Sequence, residues 1–400
     1  MTPWPNVTWE ILPWVSRLPV SRRAQQRMPT SYTSAVVPQI ADAGLALPGP
    51  LAALVDEATI AVARFDVQDA ARLVPFSPLL LRSESVASSR IEQLTSSARR
   101  VLEAELLGST HGNAGLIVAN TRQMRAAVSS TTTPTTSALL EMHRILLGPS
   151  SPDIAGVVRD EPVWIGGSDL HPEGALFVPP AAPAVPDLLR DLEAFLSRTD
   201  LPVLVHAALA HAQVETIHPF TDGNGRTGRA LIHALLHARG LTRHTALPVS
   251  AGLLTNVPAY FQSLDAYRDG DPHPIIEMLA VAALRAAELG GWLAEELSVV
   301  RESWGDSVTA RRDAADWRAL DLLLARPLIT ARQVADELDL TPANARKALD
   351  RLEGNGILIG SQIDRSTRAW RAPDVLELLD EFAERSGRRD SPTGRPRSPS

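Results

Sequence analysis

Residues 218–229, HPFTDGNGRTGR, set a histidine, an aspartate, three glycines, an asparagine and two arginines within twelve positions. Gly223, Asn224 and Gly225 tolerate backbone conformations that turn successive N–H groups toward one point, a nest for an anion. The stretch that follows, RTGRALIHALLHARG, has helical spacing, so the nest falls at a helix N-terminus, where the dipole also favours negative charge. Arg226 and Arg229 are three residues apart, share a helix face and can reach one polyphosphate. Asp222 is a hard oxygen ligand placed to share Mg²⁺ with phosphate oxygens. His218 can accept a proton from an attacking hydroxyl near neutral pH. Pro219 and Phe220 would fix the loop, Phe220 by burying its ring. These are the parts of a Mg-nucleotide site in which His218 activates an acceptor.

Three other nucleotide sites are excluded. Gly223-x-Gly225-x-x-Gly228 has the spacing of a dinucleotide fingerprint, but that fingerprint must follow a strand and open a βαβ unit. Here the preceding LPVLVHAALAHAQVETI is helical, and no parallel strand follows Gly240. Lys347 is the only lysine among 39 basic residues and lies far from any glycine-rich loop, which removes P-loop and protein-kinase chemistry. The absence of cysteine removes disulfides, thiolate zinc sites and cysteine nucleophiles. His233 and His237 have the i, i+4 spacing of a zinc pair, but no glutamate follows His233 as in HExxH and no third ligand is evident. These two, His206 and His211 are expected to serve packing or surface, and His143 is expected to be structural.

The elements that must hold these residues are mostly helical. LAALVDEATIAVARFDV and RIEQLTSSARRVLEAELL repeat apolar residues at i, i+3 and i+4, and helices resume from Pro186 to about Arg301. Residues 129–137 form a loop whose end caps the helix ALLEMHRILL. Residues 156–180 switch to short β-like runs around Gly-Gly and His-Pro turns, a hairpin inside a helical domain. Residues 1–50, rich in proline, predict an irregular, partly packed arm. Beyond Trp304, three short helical units and two strand-like runs give the order of a winged helix. Thr341 would cap a helix carrying Arg346, Lys347 and Arg351, and the wing adds Arg365, Arg368 and Arg371. Asp350 and Glu353 dilute that patch, so DNA and protein contact stand level. The net charge of −7 gives no general reason to expect nucleic acid. The N-terminus lacks the apolar run of a secretory signal, and no apolar stretch nears the ~20 residues of a membrane span. A soluble cytoplasmic protein without membrane contact is the expectation.

The 218–229 segment resembles the Fic family signature HPFx(D/E)GNGRxxR at every defined position. The resemblance covers roughly residues 30–300 and implies transfer of AMP from ATP to a Tyr, Ser or Thr hydroxyl of a protein, or of the enzyme itself. By it, His218 is the base, Asp222 the Mg²⁺ ligand and the Gly223–Gly225 backbone the anion hole. Asn224 and Arg226 would hold the α- and β-phosphates and Arg229 the γ-phosphate. SVASSRIEQL (85–94) resembles the family's inhibitory helix, (S/T)xxxE(G/N), through Ser88 and Glu92, departing at Gln93. The implied role is a Glu92–Arg229 pair that withholds Arg229 from ATP. The segment containing Trp164, Ile165, Gly166 and Gly167 resembles the flap that pairs with a target strand. Tyr260 and Phe261 resemble residues bordering the adenine.

The implied fold is mainly α: a helical Fic core with a β-hairpin flap, then a winged helix-turn-helix domain. The expected divisions are 1–110 with the inhibitory helix at 83–94, 111–303 for the core, 304–384 for the winged helix and 385–400 for a disordered tail. The implied partners are ATP, a protein substrate and, through the winged helix, DNA or a protein; a homodimer is compatible. Two readings compete with AMP transfer. One is a DNA-binding regulator with a nucleotide-sensing core, and the other a Fic enzyme that removes AMP or transfers another phosphate-linked group.

Overall fold

Apolar residues at helical spacing dominate the chain, and the computed structural model is mainly helical; it describes residues 4–15, 28–68, 76–168, 170–311 and 314–387. The central helix is α7 (Val203–Ile217), buried at every position from Leu204 to Ile217. A helix apolar or small on all sides can only be stable when surrounded. Around it pack α1 (Gly49–Gln68), α6 (Val185–Leu196), α8 (Asn224–Ala238), α10 (Val257–Arg268) and α11 (His273–Ser307). Gly228 lets α8 close on α7: a Cβ there would lie 2.9 Å from His211 Nδ1. Further out, α2 (Ser77–Ile91), α3 (Ala98–Leu107), α4 (Gly112–Ser129) and α5 (Thr136–Leu147) form a second group, with α2, α4 and α5 against α8. Thr135 caps α5 by accepting the Ala138 N–H at 3.2 Å, as the loop composition implied.

Buried carboxylates pin these helices together, each fully hydrogen-bonded as burial demands. Glu84 of α2 accepts His233 Nε2 of α8 at 2.8 Å and both the amide and hydroxyl of Ser250, on α9 (Val249–Leu253). His233 is therefore a packing residue. Asp66 of α1 accepts the N–H groups of Arg243, His244 and Thr245.

The N-terminal arm departs from expectation. Thr8–Pro13 (β1) and Ser31–Val36 (β2) pair antiparallel, from Thr8 opposite Val36 to Pro13 opposite Ser31. The strands are short and β1 is exposed on both faces, so the alternation that marks a strand is missing. Residues 156–180 turn back on themselves, but their pairing is one antiparallel bridge, Ile165 to Phe177.

The C-terminal unit contains α12 (Ala315–Ala325), β3 (Leu328–Ile329), α13 (Ala331–Leu338), α14 (Pro342–Gly354), β4 (Ile359–Gln362), β5 (Arg368–Arg371) and α15 (Pro373–Arg385), with strand order β3-β5-β4. Thr330 and Gln333 form a capping box on α13, and Thr341 caps α14. The 35-residue α11 runs unbroken through residues 303 and 304, carrying Trp304 to a hydrogen bond with Asp374. Most of the 385–400 tail lies outside the described residues. The C-terminal unit grips α2 and its flank: Arg82 donates to the Ala325 carbonyl, Arg90 to the Ala383 carbonyl, and the Ala98 N–H to Asp380. Among the described residues, no helix is long and apolar enough to cross a membrane.

Candidate active site

The α7–α8 connection is built by its own side chains. His218 ends α7 in the left-handed region, φ 49°, and Gly223 precedes α8 at φ 77°. Asn224 holds the turn closed: its Oδ1 accepts the Phe220 N–H and its Nδ2 donates to the Phe220 carbonyl, both at 2.9 Å. Asn224, expected on a phosphate, thus has both ends of its amide on the loop. Phe220 is fully buried and stacks on His143, with ring centroids 3.7 Å apart. His143 Nδ1 accepts the Gly156 N–H, which leaves Nε2 to donate to the Asp222 carbonyl at 2.9 Å. Asp222 accepts the Gly223 N–H at 2.6 Å through one oxygen, and its other oxygen stands 3.6 Å from Arg226. Its exposed carboxylate is a hard donor beside the first turn of α8, whose leading amides have no partner within the helix. That donor set fits one Mg²⁺ shared with phosphate oxygens.

The two arginines differ in what they touch. Arg226 is 5% exposed, and its Nε and Nη1 are buried without a hydrogen-bond partner. A buried guanidinium left partly unsatisfied marks a place for an anion. Arg229, 1% exposed, is engaged: Nε donates to Ser88 Oγ, and Nη2 to the Ser88 carbonyl at 2.9 Å and Glu92 Oε1 at 2.8 Å. Burial opposes the charge on Glu92, but Arg229, Arg226 and His218 outweigh it and hold its carboxyl below the usual range. For Arg229 burial likewise opposes charge, and Glu92, Tyr260 and Glu215 outweigh it, so its pKa rises. Glu92 Oε1 also lies where a Cβ on Gly225 would sit, so the carboxylate covers the glycine of the cradle. Gln93 adopts φ 61° and its N–H reaches the Arg90 carbonyl, so the turn after Glu92 forms without glycine or asparagine.

Burial lowers the pKa of His218 to about 4, opposed by a bond to the Glu215 carbonyl and aided by Arg159 and Arg268, so the imidazole is neutral at pH 7. Arg159 escaped the sequence reading, being a lone arginine in a β-like run. It donates to the carbonyls of His218 (2.7 Å), Pro180 (2.7 Å) and Glu161 (3.0 Å), joining the histidine to the 156–180 segment. Burial pushes Glu215, one turn before His218, up to about 7.

Tyr260 does not border an open pocket. It is 1% exposed, its hydroxyl is 2.8 Å from His211 Nε2, and Arg229 is among the charges acting on it. Adjacent helix residues point about 100° apart, so Phe261 faces outward, 48% exposed. Trp164 packs edge-on against Trp14, and Gly166 and Gly167 turn at φ 72° and 79° on the surface. Ile165 makes the bridge bonds to Phe177.

Fold and site together define a helical domain with a candidate anion cradle at one helix start, beside the Glu92–Arg229 pair, followed by a winged helix. Residues 133–236 match the model of the Fic/DOC family, and residues 312–359 match that of winged helix-turn-helix DNA-binding domains. The chain is 30% identical over 182 residues to a protein adenylyltransferase Fic of Culex quinquefasciatus, covering 43% of this chain and 33% of that protein. It is 32% identical over 145 residues to protein adenylyltransferase fic-1 of Caenorhabditis elegans, covering 36% and 26%. The chain thus spans a third or less of the length of these curated relatives. A Fic family protein from Desulfovibrio desulfuricans shares the fold with TM-score 0.53 and 24% identity, covering 82% of this chain and 97% of that one. Residues 134–508 of C. elegans Fic-1 align with TM-score 0.50 and 20% identity, covering 62% and 73%.

Proposed function

We propose that this chain transfers AMP from Mg-ATP to a Tyr, Ser or Thr hydroxyl of a protein, itself included, and that Glu92 restrains it. The observation that carries this is the division of labour between the arginines. Arg226 is buried with unmet donors beside the helix N-terminus, while Arg229 is held by Ser88 and Glu92.

The amides opening α8 and Arg226 bind and orient the phosphates, preorganised by the Asn224 clasp and the His143–Asp222 bond. Neutral His218 takes the proton of the acceptor hydroxyl as its oxygen bonds the α-phosphorus and pyrophosphate leaves. Asp222 would hold Mg²⁺, which supplies charge neutralisation on the phosphates. Arg229 completes the γ-phosphate contacts only after leaving Glu92. The surface turn at Trp164–Gly167, tied to His218 through Arg159, would set an extended target segment beside the base. Phe261 rather than Tyr260 is the aromatic free to meet an adenine. Names of relatives as adenylyltransferases support the same reaction.

The test is incorporation of label from α-phosphate-labelled ATP by the wild type, Glu92→Gly and His218→Ala. Glu92→Gly should incorporate roughly tenfold more than the wild type or better, a barrier change of ~1.4 kcal/mol. His218→Ala placed in the Glu92→Gly background should lose about 10²–10⁴-fold. No label in Glu92→Gly, with or without lysate proteins, would overturn the reading.

A second reading, DNA contact through α14, draws on the winged-helix match. Three of the arginines named for it are engaged with carboxylates within the chain, and Arg371 donates to Ser361 Oγ at 3.3 Å. Arg351 makes a bidentate pair with buried Asp316, Arg346 stands 3.7 Å from Asp350, and Arg368 pairs with Glu353. Lys347 and Arg365 remain exposed to meet phosphates.

A further inference from the structure

A cleft of about 640 Å³ opens on the seam where α2, α3, α4 and the end of α8 face α12, β3 and α13. Its walls carry Arg82, Arg125, Arg243 and Arg326, together with His237 and His244. Among the described residues two carboxylates answer these four arginines: Glu105 takes Arg82 at 2.9 Å, and Glu337 takes Arg326 at 2.7 Å. Arg125 is left 4.0 Å from Glu105, and among the described residues the Arg243 side chain has only the Gly240 carbonyl, at 3.3 Å. In a chain of net charge −7 this is a local concentration of positive charge.

The site is built rather than incidental. Arg243 and Thr245 stand on a loop whose three successive N–H groups all bond to Asp66, which fixes its shape. Thr245 is 6% exposed, lines the cleft, and its hydroxyl has no hydrogen-bond partner. Leu81, Leu102, Val128 and Ala246 give the same space an apolar wall.

We propose that this cleft binds a small phosphate-bearing molecule of nucleotide size, with its phosphates between Arg125 and Arg243 and its organic part on the apolar wall. Charge-assisted bonds from two arginines and a buried hydroxyl suit a phosphate, and the volume falls in the ~300–1,000 Å³ range of small-molecule sites. Neither α14 nor any residue of the 218–229 loop lines the cleft, so the site is separate from both the winged-helix recognition face and the α8 cradle. The ligand would touch α2 and the winged helix together.

Calorimetric titration of the full-length Arg226→Ala protein, in which the α8 cradle is disabled, tests this with ADP and with inorganic pyrophosphate at low salt. Binding of either probe at one equivalent with Kd below ~1 mM is expected, weakened at least tenfold by Arg125→Glu and, separately, by Arg243→Glu. Both side chains are exposed, so circular dichroism and Tm should match the parent, and Arg125→Ala provides a milder variant if either reversal misfolds. ADP binding tighter than pyrophosphate would assign a role to the apolar wall, and equal binding would confine recognition to the phosphates. If neither probe binds, or the arginine variants bind unchanged, the proposal is overturned. Loss of all binding in Arg226→Ala alone would assign it to the α8 cradle, overturning this site while leaving AMP transfer intact.

Discussion

At the scale of single residues, the site depends on groups whose protonation is set by burial. His218 can act as a base because its imidazole stays neutral, with burial holding its pKa near 4 instead of the ordinary 6.5. A free-enzyme pKa governs the acid limb of kcat/KM. In the Glu92→Gly protein that limb should therefore fall well below pH 6.5, toward 4, with activity flat between about pH 6 and 7. A limb centred at 6.5 in a pH–rate profile would show that burial does not control the base. Arg159 is the residue that sequence alone misses, because a guanidinium on backbone carbonyls obeys no motif; only the path of the chain brings those carbonyls together.

At the scale of elements, the decisive piece is the end of α2. Glu92 reaches Arg229 from the C-cap of α2, and just beyond it Gln93 turns the chain in the left-handed region, which costs a side-chain-bearing residue about 1–2 kcal/mol. Gln93→Gly should remove that cost, less the greater freedom glycine gains when unfolded, leaving about 0.5–1 kcal/mol of stabilisation. The check is the urea midpoint at unchanged m-value; a lower midpoint would mean that the Gln93 side chain contributes more than its backbone costs. The motif from His218 to Arg229 was legible because every member acts within one loop and one helix turn. The flap was half legible: its turn residues are in the sequence, but the pairing narrows to Ile165–Phe177 because Arg159 and Phe177 draw the segment inward.

At the scale of the molecule, the C-terminal unit holds the helix that bears Glu92. Arg90, two residues before Glu92, reaches the Ala383 carbonyl at the end of α15, and Arg82 reaches Ala325 on α12. Release of the first tie should let the last turn of α2 fray and free Arg229 for part of the time. Arg90→Ala is thus expected to raise self-labelling above the wild type but below Glu92→Gly, in the same labelled-ATP assay. Labelling equal to the wild type would separate the winged helix from the restraint. Removal of a partner from a short contact that spans about 290 positions acts on domain coupling, a property no local pattern carries.

The sequence by itself determined the residue types and spacing of the 218–229 loop, the helical class, a cap from the 129–137 loop and one at Thr341, and the order of the winged helix. Each rests on neighbours a few residues apart, where side-chain type and period suffice. Tertiary structure alone decided the β1–β2 pairing, the burial of Tyr260 beneath Arg229, the capture of Arg351 by Asp316 and the basic cleft on the seam. These join residues tens to hundreds of positions apart. Whether a guanidinium meets a carboxylate, a carbonyl or an open anion site is settled by which surfaces the core brings together.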